Sequence, residues 1–501
     1  MKIAQKIFVG LFVACMSIVL VPQVYSQPFG EEITVLNDTP TFDVAGLEVI
    51  TADGPVVLGQ TINEDREPKI SILNNGSTSV FWVNRGGSHH VNGVDASGNI
   101  IFPTITDDAG IDVIVDVNTG SNTNWTLDKA DRVQGGFLVA ATWQFGTLTG
   151  SSAVVPSTVI DDWGIREDDG QGHGFFKLFD DQFQATTPDP ISISQFSAGH
   201  REWDCCWLSD GKFVIATVAR GHPYAADPDF PDGGQDIGLI NIFNSDGTRF
   251  KDEFFVSDDL TGQQNDMRLG ALANGFVCIY MDNKSSAGGA SSNKGVIFDN
   301  DGNKVKDFVA TDEATGINVN WMDAGGGNTF VTVHNVSGPA DVGLPDSMVG
   351  QAMILARVWN DQGEPITPFI AVTQHDDRRS VSRERCAMAA NGSFVITWHD
   401  GLADLIDMTQ SVVARVFKVD GTPVTDAFVA HPLPEFLDPD TGESSGGGDP
   451  GEAIPAITND RLSIAWGSRA VPGKGYGTRD AVVMSFTNPA EDTASESWSL
   501  Y

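Results

Sequence analysis

The chain has 501 residues, 41% hydrophobic and 19% charged, with 54 glycines and a formal net charge of −37. Acidity of that size excludes the basic footprint that phosphate-backbone binding needs, so no nucleic-acid partner is expected. Abundant turn chemistry and few long amphipathic patterns argue against a helical bundle and for an all-β chain.

In chain order, Lys2 and Lys6 precede an apolar run over 7–21, and Val24, Tyr25 and Ser26 offer a small residue for cleavage before Gln27. About 15 apolar residues is short of the roughly 20 that a membrane span requires, so residues 1–26 read as a signal peptide. Cys15 would suit lipidation, but the apolar run continues past it. No second such segment follows, and the mature chain is expected to be secreted, periplasmic or extracellular, a monomer without an integral membrane segment. Its cysteines are Cys205, Cys206, Cys278 and Cys386. Neighbours on a strand face opposite ways, so a Cys205–Cys206 bond would require a distorted backbone, and buried thiols or a Cys206–Cys278 bridge are the alternatives.

A repeated unit organises the rest, clearest over 383–430. Cys386, Met388 and Ala390 alternate into an Asn391-Gly392 turn, and FVITW at 394–398 continues the period-2 pattern of a strand. A polar loop follows, then VVARVF at 412–417, an Asp420-Gly421 hairpin turn and a last strand at 427–430. Such a unit cannot bury both faces alone and needs copies of itself as neighbours.

The second strand recurs at 78–82 (TSVFW), 137–143 (FLVAATW), 213–217 (FVIAT), 276–280 (FVCIY), 330–334 (FVTVH), 394–398 (FVITW) and 462–466 (LSIAW). Their starts are 54 to 76 residues apart, too long and uneven for a solenoid but suited to blades around a channel. The expected fold is a seven-bladed β-propeller of four-stranded antiparallel blades over 41–501, after an N-terminal segment at 27–40. The last unit stops at a third strand, 480–486. Residues 46–50 and 56–59, around Asp53-Gly54, read as a third-and-fourth-strand hairpin that closes the final blade. An incomplete eighth blade is the alternative.

The motif, a strand, (D/N)G, FVxxW, then RxFxxxG as in ILARVWNDQG at 354–363 and VVARVFKVDG at 412–421, resembles secreted bacterial β-propeller repeat proteins over about 201–486. That resemblance implies the fold and assigns no activity.

In a four-stranded blade the first and third turns share one face of the disc, here a shallow one. The second connections are long, with 31 residues between Trp143 and Phe175 and 20 between Thr217 and Gly238. Long loops on a rigid scaffold carry binding, so a glycan, peptide or surface partner is expected on that face. Three groups of residues point there. The second strands end in Trp82, Trp143, Thr217, Tyr280, His334, Trp398 and Trp466, which either pack between blades or form a stacking platform for sugar rings. Arg201, Arg268, Arg383 and Arg385 lie where first strands begin, and either converge on a carboxylate, sulfate or phosphate or pair locally, Arg383 and Arg385 with Glu384. Asp227 and Asp229, with Asp438 and Asp440, have the i, i+2 spacing that suits Ca²⁺, although neither loop matches the twelve-residue calcium pattern.

Catalytic signatures are missing: there is no HExxH, no zinc spacing and no GxSxG. His399-Asp400 after Trp398 is the most suggestive dyad. A sialidase-like hydrolase or a polysaccharide lyase is the alternative to a binding scaffold, since arginines from several blades are similar to the sialidase arginine cluster and Tyr280 could supply a nucleophile. Against it, the SxDxGxTW box of sialidases is absent, and NSDGTRF at 244–250 only brushes it. A structural envelope or adhesion component is a third reading.

Overall fold

The computed structural model describes residues 34–35, 47–51, 55–60, 65–84, 89–102, 105–106, 128–131, 135–144, 172–187, 191–194, 199–220, 236–260, 263–283, 292–311, 319–337, 352–373, 381–401, 410–430, 436–437, 444–445, 453–468 and 480–490. These build a seven-bladed β-propeller, with no helix among them. None of the described residues belongs to a helix long and apolar enough to cross a membrane.

Blade one is Asp65–Ile72, Thr78–Asn84 and His89–Val94. Blade two is Asp128–Asp131, Phe137–Gln144, Gly172–Phe179 and Ile191–Ser192. Blades three and four run Gly199–Trp207, Phe213–Arg220, Asp236–Phe243, Arg249–Phe255 and Gln263–Leu272, Gly275–Asn283, Ser292–Asp299, Lys304–Thr311. Blade five is Trp321–Asp323, Thr329–Ser337, Ala352–Asn360 and Ile370–Ala371, and blade six is Val381–Met388, Phe394–Gly401, Gln410–Phe417 and Phe428–Val429. Blade seven is Ile454–Ile457, Arg461–Ser468 and Asp480–Thr487. Each blade is antiparallel in sequence order.

The second and third strands are buried on both faces, which is why they read as near-continuous apolar runs; Asp236–Phe243 is buried at every position. Outer strands face solvent on one side, and Arg249–Phe255 is only partly covered. Face-to-face stacking makes one apolar core between each pair of neighbours. Phe81 with Phe137, Phe176 with Phe213, Val218 with Met267, Ile279 with Met322, Val358 with Cys386 and Val416 with Leu462 mark six of them. The seventh packs Val80 and Trp82 of blade one against Ala465 and Val483 of blade seven, and this contact closes the ring.

The N-terminal chain completes blade seven, as expected. Val56–Val57 pairs with Val482 and Val483, and Val49 bridges to Phe486. Both halves lie on the same strand, so they form one interrupted outer strand and not the third-and-fourth-strand hairpin expected from the sequence. No eighth blade forms among the described residues. Further upstream, Thr34–Val35 adds a parallel strand to the rim of blade five at Ile370 and Ala371.

Turn chemistry sets the shallow face. The amide of Gly392 donates to the Ala389 carbonyl at 2.9 Å and that of Ala389 to Ser393 at 2.8 Å, with Gly392 at φ 85°. A three-residue loop ending in a left-handed residue explains the preference for glycine there. All four described cysteines are buried thiols outside any disulfide. Cys205 faces the core shared with blade two and Cys206 the core shared with blade four, as strand alternation requires. Cys206 and Cys278 share a core without bonding.

Candidate functional site in the central channel

The inner strands line the channel, and their register against the second strands defines equivalent positions. The fourth residue of the repeated motif in the seven second strands, Phe81, Ala140, Ala216, Ile279, Val333, Thr397 and Ala465, pairs with Lys69, Asp128, Asp204, Arg268, Trp321, Arg385 and Ile454. One ring of positions therefore carries three cations, two carboxylates, a tryptophan and an isoleucine. It lies three to four residues from the far end of each second strand, which is roughly 10–14 Å below that rim at strand rise.

The cations meet on one aromatic ring. The guanidinium carbons of Arg268 and Arg385 lie 4.7 and 4.3 Å from the Trp321 ring centroid, and Nζ of Lys69 lies 5.3 Å from it. No two of these charges can then be more than about 10 Å apart, within the span of one sugar residue and its substituents. At an effective dielectric near 20, each pair repels by about 2 kcal/mol. Each cation–π contact returns about 0.5–2 kcal/mol. Over the three pairs the repulsion of about 6 kcal/mol outweighs or at best equals the ~1.5–6 kcal/mol returned by the three contacts, so the empty cluster holds a net repulsion that a bound anion relieves.

Bulges aim these side chains. The pairing shifts register between Arg66 and Lys69, between Asn265 and Arg268, and between Ser382 and Arg385. Within the latter two, Asp266 and Arg383 hold φ values of 50° and 55°. An extra residue in a bulge re-aims the side chains after it, a device that recurs beside functional sites. It buries Met267 and Glu384 in the wedges between blades and leaves Arg268 and Arg385 on the channel.

A polar frame then holds the guanidiniums. Nε of Arg268 donates to the Asn320 carbonyl at 3.3 Å and Nη1 to the Met267 carbonyl at 2.8 Å. Nη1 of Arg385 donates to the Glu384 carbonyl at 2.8 Å. The Glu384 carboxylate, 2% exposed, is taken by Nδ2 of Asn320 and by Nδ2 of Asn335, the latter at 3.1 Å. Its oxygens therefore do not pair with Arg383 or Arg385, so the local pairing considered from the sequence does not form. Asp204 is turned into the wedge between blades three and four, accepting from the amides of Cys205 at 2.9 Å and Leu269 at 2.6 Å.

The other expected residues fall into three sets. Arg383 is exposed, in the bulge of blade six that precedes Arg385. Trp398, Tyr280 and His399 are buried, at 1, 2 and 0% exposed. Trp398 and Tyr280 pack in the cores between blades, as Trp82 and Trp466 do, so these rings are packing residues and not a solvent-facing platform. Burial pushes the Tyr280 phenol well above its usual range, with Asp282 and Cys278 adding to the rise against a hydrogen bond from Ser257 that opposes it, which removes it as a nucleophile. Asp400 accepts from Nε1 of Trp398 at 3.3 Å, and both His399 and Asp400 are fully buried from solvent. The side chains of Trp143 and Arg201, and Asp227, Asp229, Asp438 and Asp440 entirely, lie outside the described residues. The long connections do too; the strands extend further than expected and shorten them to 145–171 and 221–235. Among the described residues no group of carboxylates, histidines or cysteines could hold a metal ion.

Lys69 and Trp321 were not singled out from the sequence. A signal existed: Lys69, Arg268 and Arg385 each stand seven residues before a turn glycine, Gly76, Gly275 and Gly392.

No family model and no curated protein matches the chain. Among solved structures, it is similar to a protein of unknown function from Dyadobacter fermentans, with 13% identity over 75% of this chain and 97% of that one, TM-score 0.44. It is also similar to the polysaccharide lyase Uly1, with 9% identity over 91% and 96% of the two chains, TM-score 0.43. A third is the endo-arabinanase from Bacillus licheniformis, with 12% identity over 62% and 99%, TM-score 0.28. At these scores no residue role carries across.

Proposed function

We propose that this chain is a binding scaffold whose central channel takes an acidic glycan, gripping a carboxylate or sulfate on one sugar. The observation that carries the reading is the meeting of Arg268 and Arg385, from blades four and six, on Trp321 of blade five. A guanidinium held over a ring and fixed by backbone carbonyls, as Arg268 is, presents its remaining N–H groups in the fork that carboxylates and sulfates fit. Arg268 spends two of its five donors on carbonyls and keeps the others for a ligand.

The acidic surface narrows the ligand further. With a net charge of −37, a ligand with dense charge along its whole length is repelled as it approaches. A glycan concentrates its charge in single substituents, and its hydroxyls donate to surface carboxylates. A long acidic peptide gains less from that surface. The leader read at residues 1–26 fits an encounter with such glycans outside the cytoplasm.

Titration calorimetry with a uronate oligosaccharide, its neutral carboxyl-reduced form and an acidic peptide tests this. Binding of the uronate alone, lost at least about tenfold in Arg268→Ala and Arg385→Ala, is the expected result. Equal binding of the neutral sugar, or no effect of either substitution, overturns it. Release of unsaturated ends from the oligosaccharide would instead make the channel a lyase site.

A further inference from the structure

Lys69 adds something that the two arginines do not explain. It is only 9% exposed, and its contact is the Trp321 ring, 5.3 Å from Nζ to the centroid. Among the described residues no carboxylate lies within ion-pair distance of it. Two acids beside the arginines are engaged elsewhere. Glu384 is taken by Asn320 and Asn335, and Asp204 by the backbone amides of Cys205 and Leu269. A buried ammonium without a counter-ion is costly, and burial is ordinarily tolerated when a partner arrives. Lys69 comes from blade one, across the channel from blades four to six, so a group bound by the arginines has the ammonium on its remaining side.

One carboxylate shared by Arg268 and Arg385 leaves Lys69 unmatched. We propose that the sugar seated in the channel carries two anionic substituents, such as a uronate bearing a sulfate ester, and that Lys69 is the specificity residue for the second charge. This rests on the acidic-glycan reading above and specifies its ligand. Arg268 and Arg385 hold the first anionic group as a fork, and the single point charge of Lys69 takes the second without demanding a planar geometry.

The test is calorimetry with a uronate disaccharide with and without one sulfate ester, at fixed ionic strength. The wild-type protein is expected to bind the sulfated form about tenfold more tightly. Lys69→Met keeps the length of the side chain and is expected to abolish that preference, bringing the sulfated disaccharide down to the affinity of the unsulfated one. Lys69→Arg keeps the charge and is expected to keep the preference, which separates a charge effect from a packing defect. Equal wild-type affinities, or a preference that survives in Lys69→Met, overturn this inference alone. Failure of both disaccharides to bind wild-type protein overturns the glycan reading and this inference with it.

Discussion

The buried carboxylate of Glu384 in blade six accepts a hydrogen bond from Nδ2 of Asn320, and the carbonyl of the same Asn320 receives Nε of Arg268 in blade four. A carboxylate that never touches ligand thus sets the pose of a guanidinium two blades away. Glu384 also accepts from Asn335 at 3.1 Å, so both of its oxygens are used. Replacing it by glutamine turns one acceptor into a donor that faces another amide. Glu384→Gln is expected to lose about 1.5–3 kcal/mol of stability, the range for hydrogen bonds to a charged group. It should also weaken uronate binding, and this second effect should vanish in the Arg268→Ala background. Urea unfolding and a double-mutant cycle on affinity would check it; additive affinity losses would mean that Glu384 acts on the fold only.

Trp398 gives the opposite pattern. It is 1% exposed in the core between blades five and six. Trp398→Ala is expected to cost about 3–5 kcal/mol through the cavity it leaves. Affinity for acidic oligosaccharide, measured where the variant is still folded, should stay within about twofold. A stable variant that cannot bind would restore the second-strand tryptophans as a ligand platform.

Arg383 sits at φ 55° in its bulge. A residue with a Cβ pays about 1–2 kcal/mol in that region, and glycine does not. Arg383→Gly is therefore expected to raise the denaturation midpoint, with a gain of up to about 1 kcal/mol. A lowered midpoint would show that the exposed side chain makes a stabilising contact.

The thiols give stability a pH dependence. Burial pushes Cys278 and Cys386 well above the usual thiol range, reinforced by Asp204 beside the first and Asp323 beside the second. Both are raised in the folded chain relative to the unfolded one. Their contribution is therefore complete below the unfolded value near pH 8.5 and is lost as pH rises towards the folded values. Unfolding free energy should fall above about pH 8.5, by up to about 1.4 kcal/mol per pH unit for each thiol. The double variant Cys278→Ala, Cys386→Ala should flatten that limb, and a slope unchanged by it would assign the effect to other groups.

Strand order, blade count and the shared last blade were legible in residues a few positions apart. FVITW at 394–398 and LSIAW at 462–466 are almost wholly apolar because each strand packs on both faces, and Asn391-Gly392 punctuates because the turn needs a left-handed backbone. These are local constraints that a repeat states again in every unit. The inner strands of blades four and six also showed their arginines. What the sequence did not disclose was which cations share a ring. That depends on register shifts that add a residue at Asp266 and Arg383, and on the angle at which the closed ring turns Lys69 of blade one towards Trp321 of blade five. Residues 69 and 321 are brought together only when the last apolar core, between blades seven and one, draws the circle shut. The short-range pattern thus determined the sheets, and the convergence of charge at their centre was decided by closure.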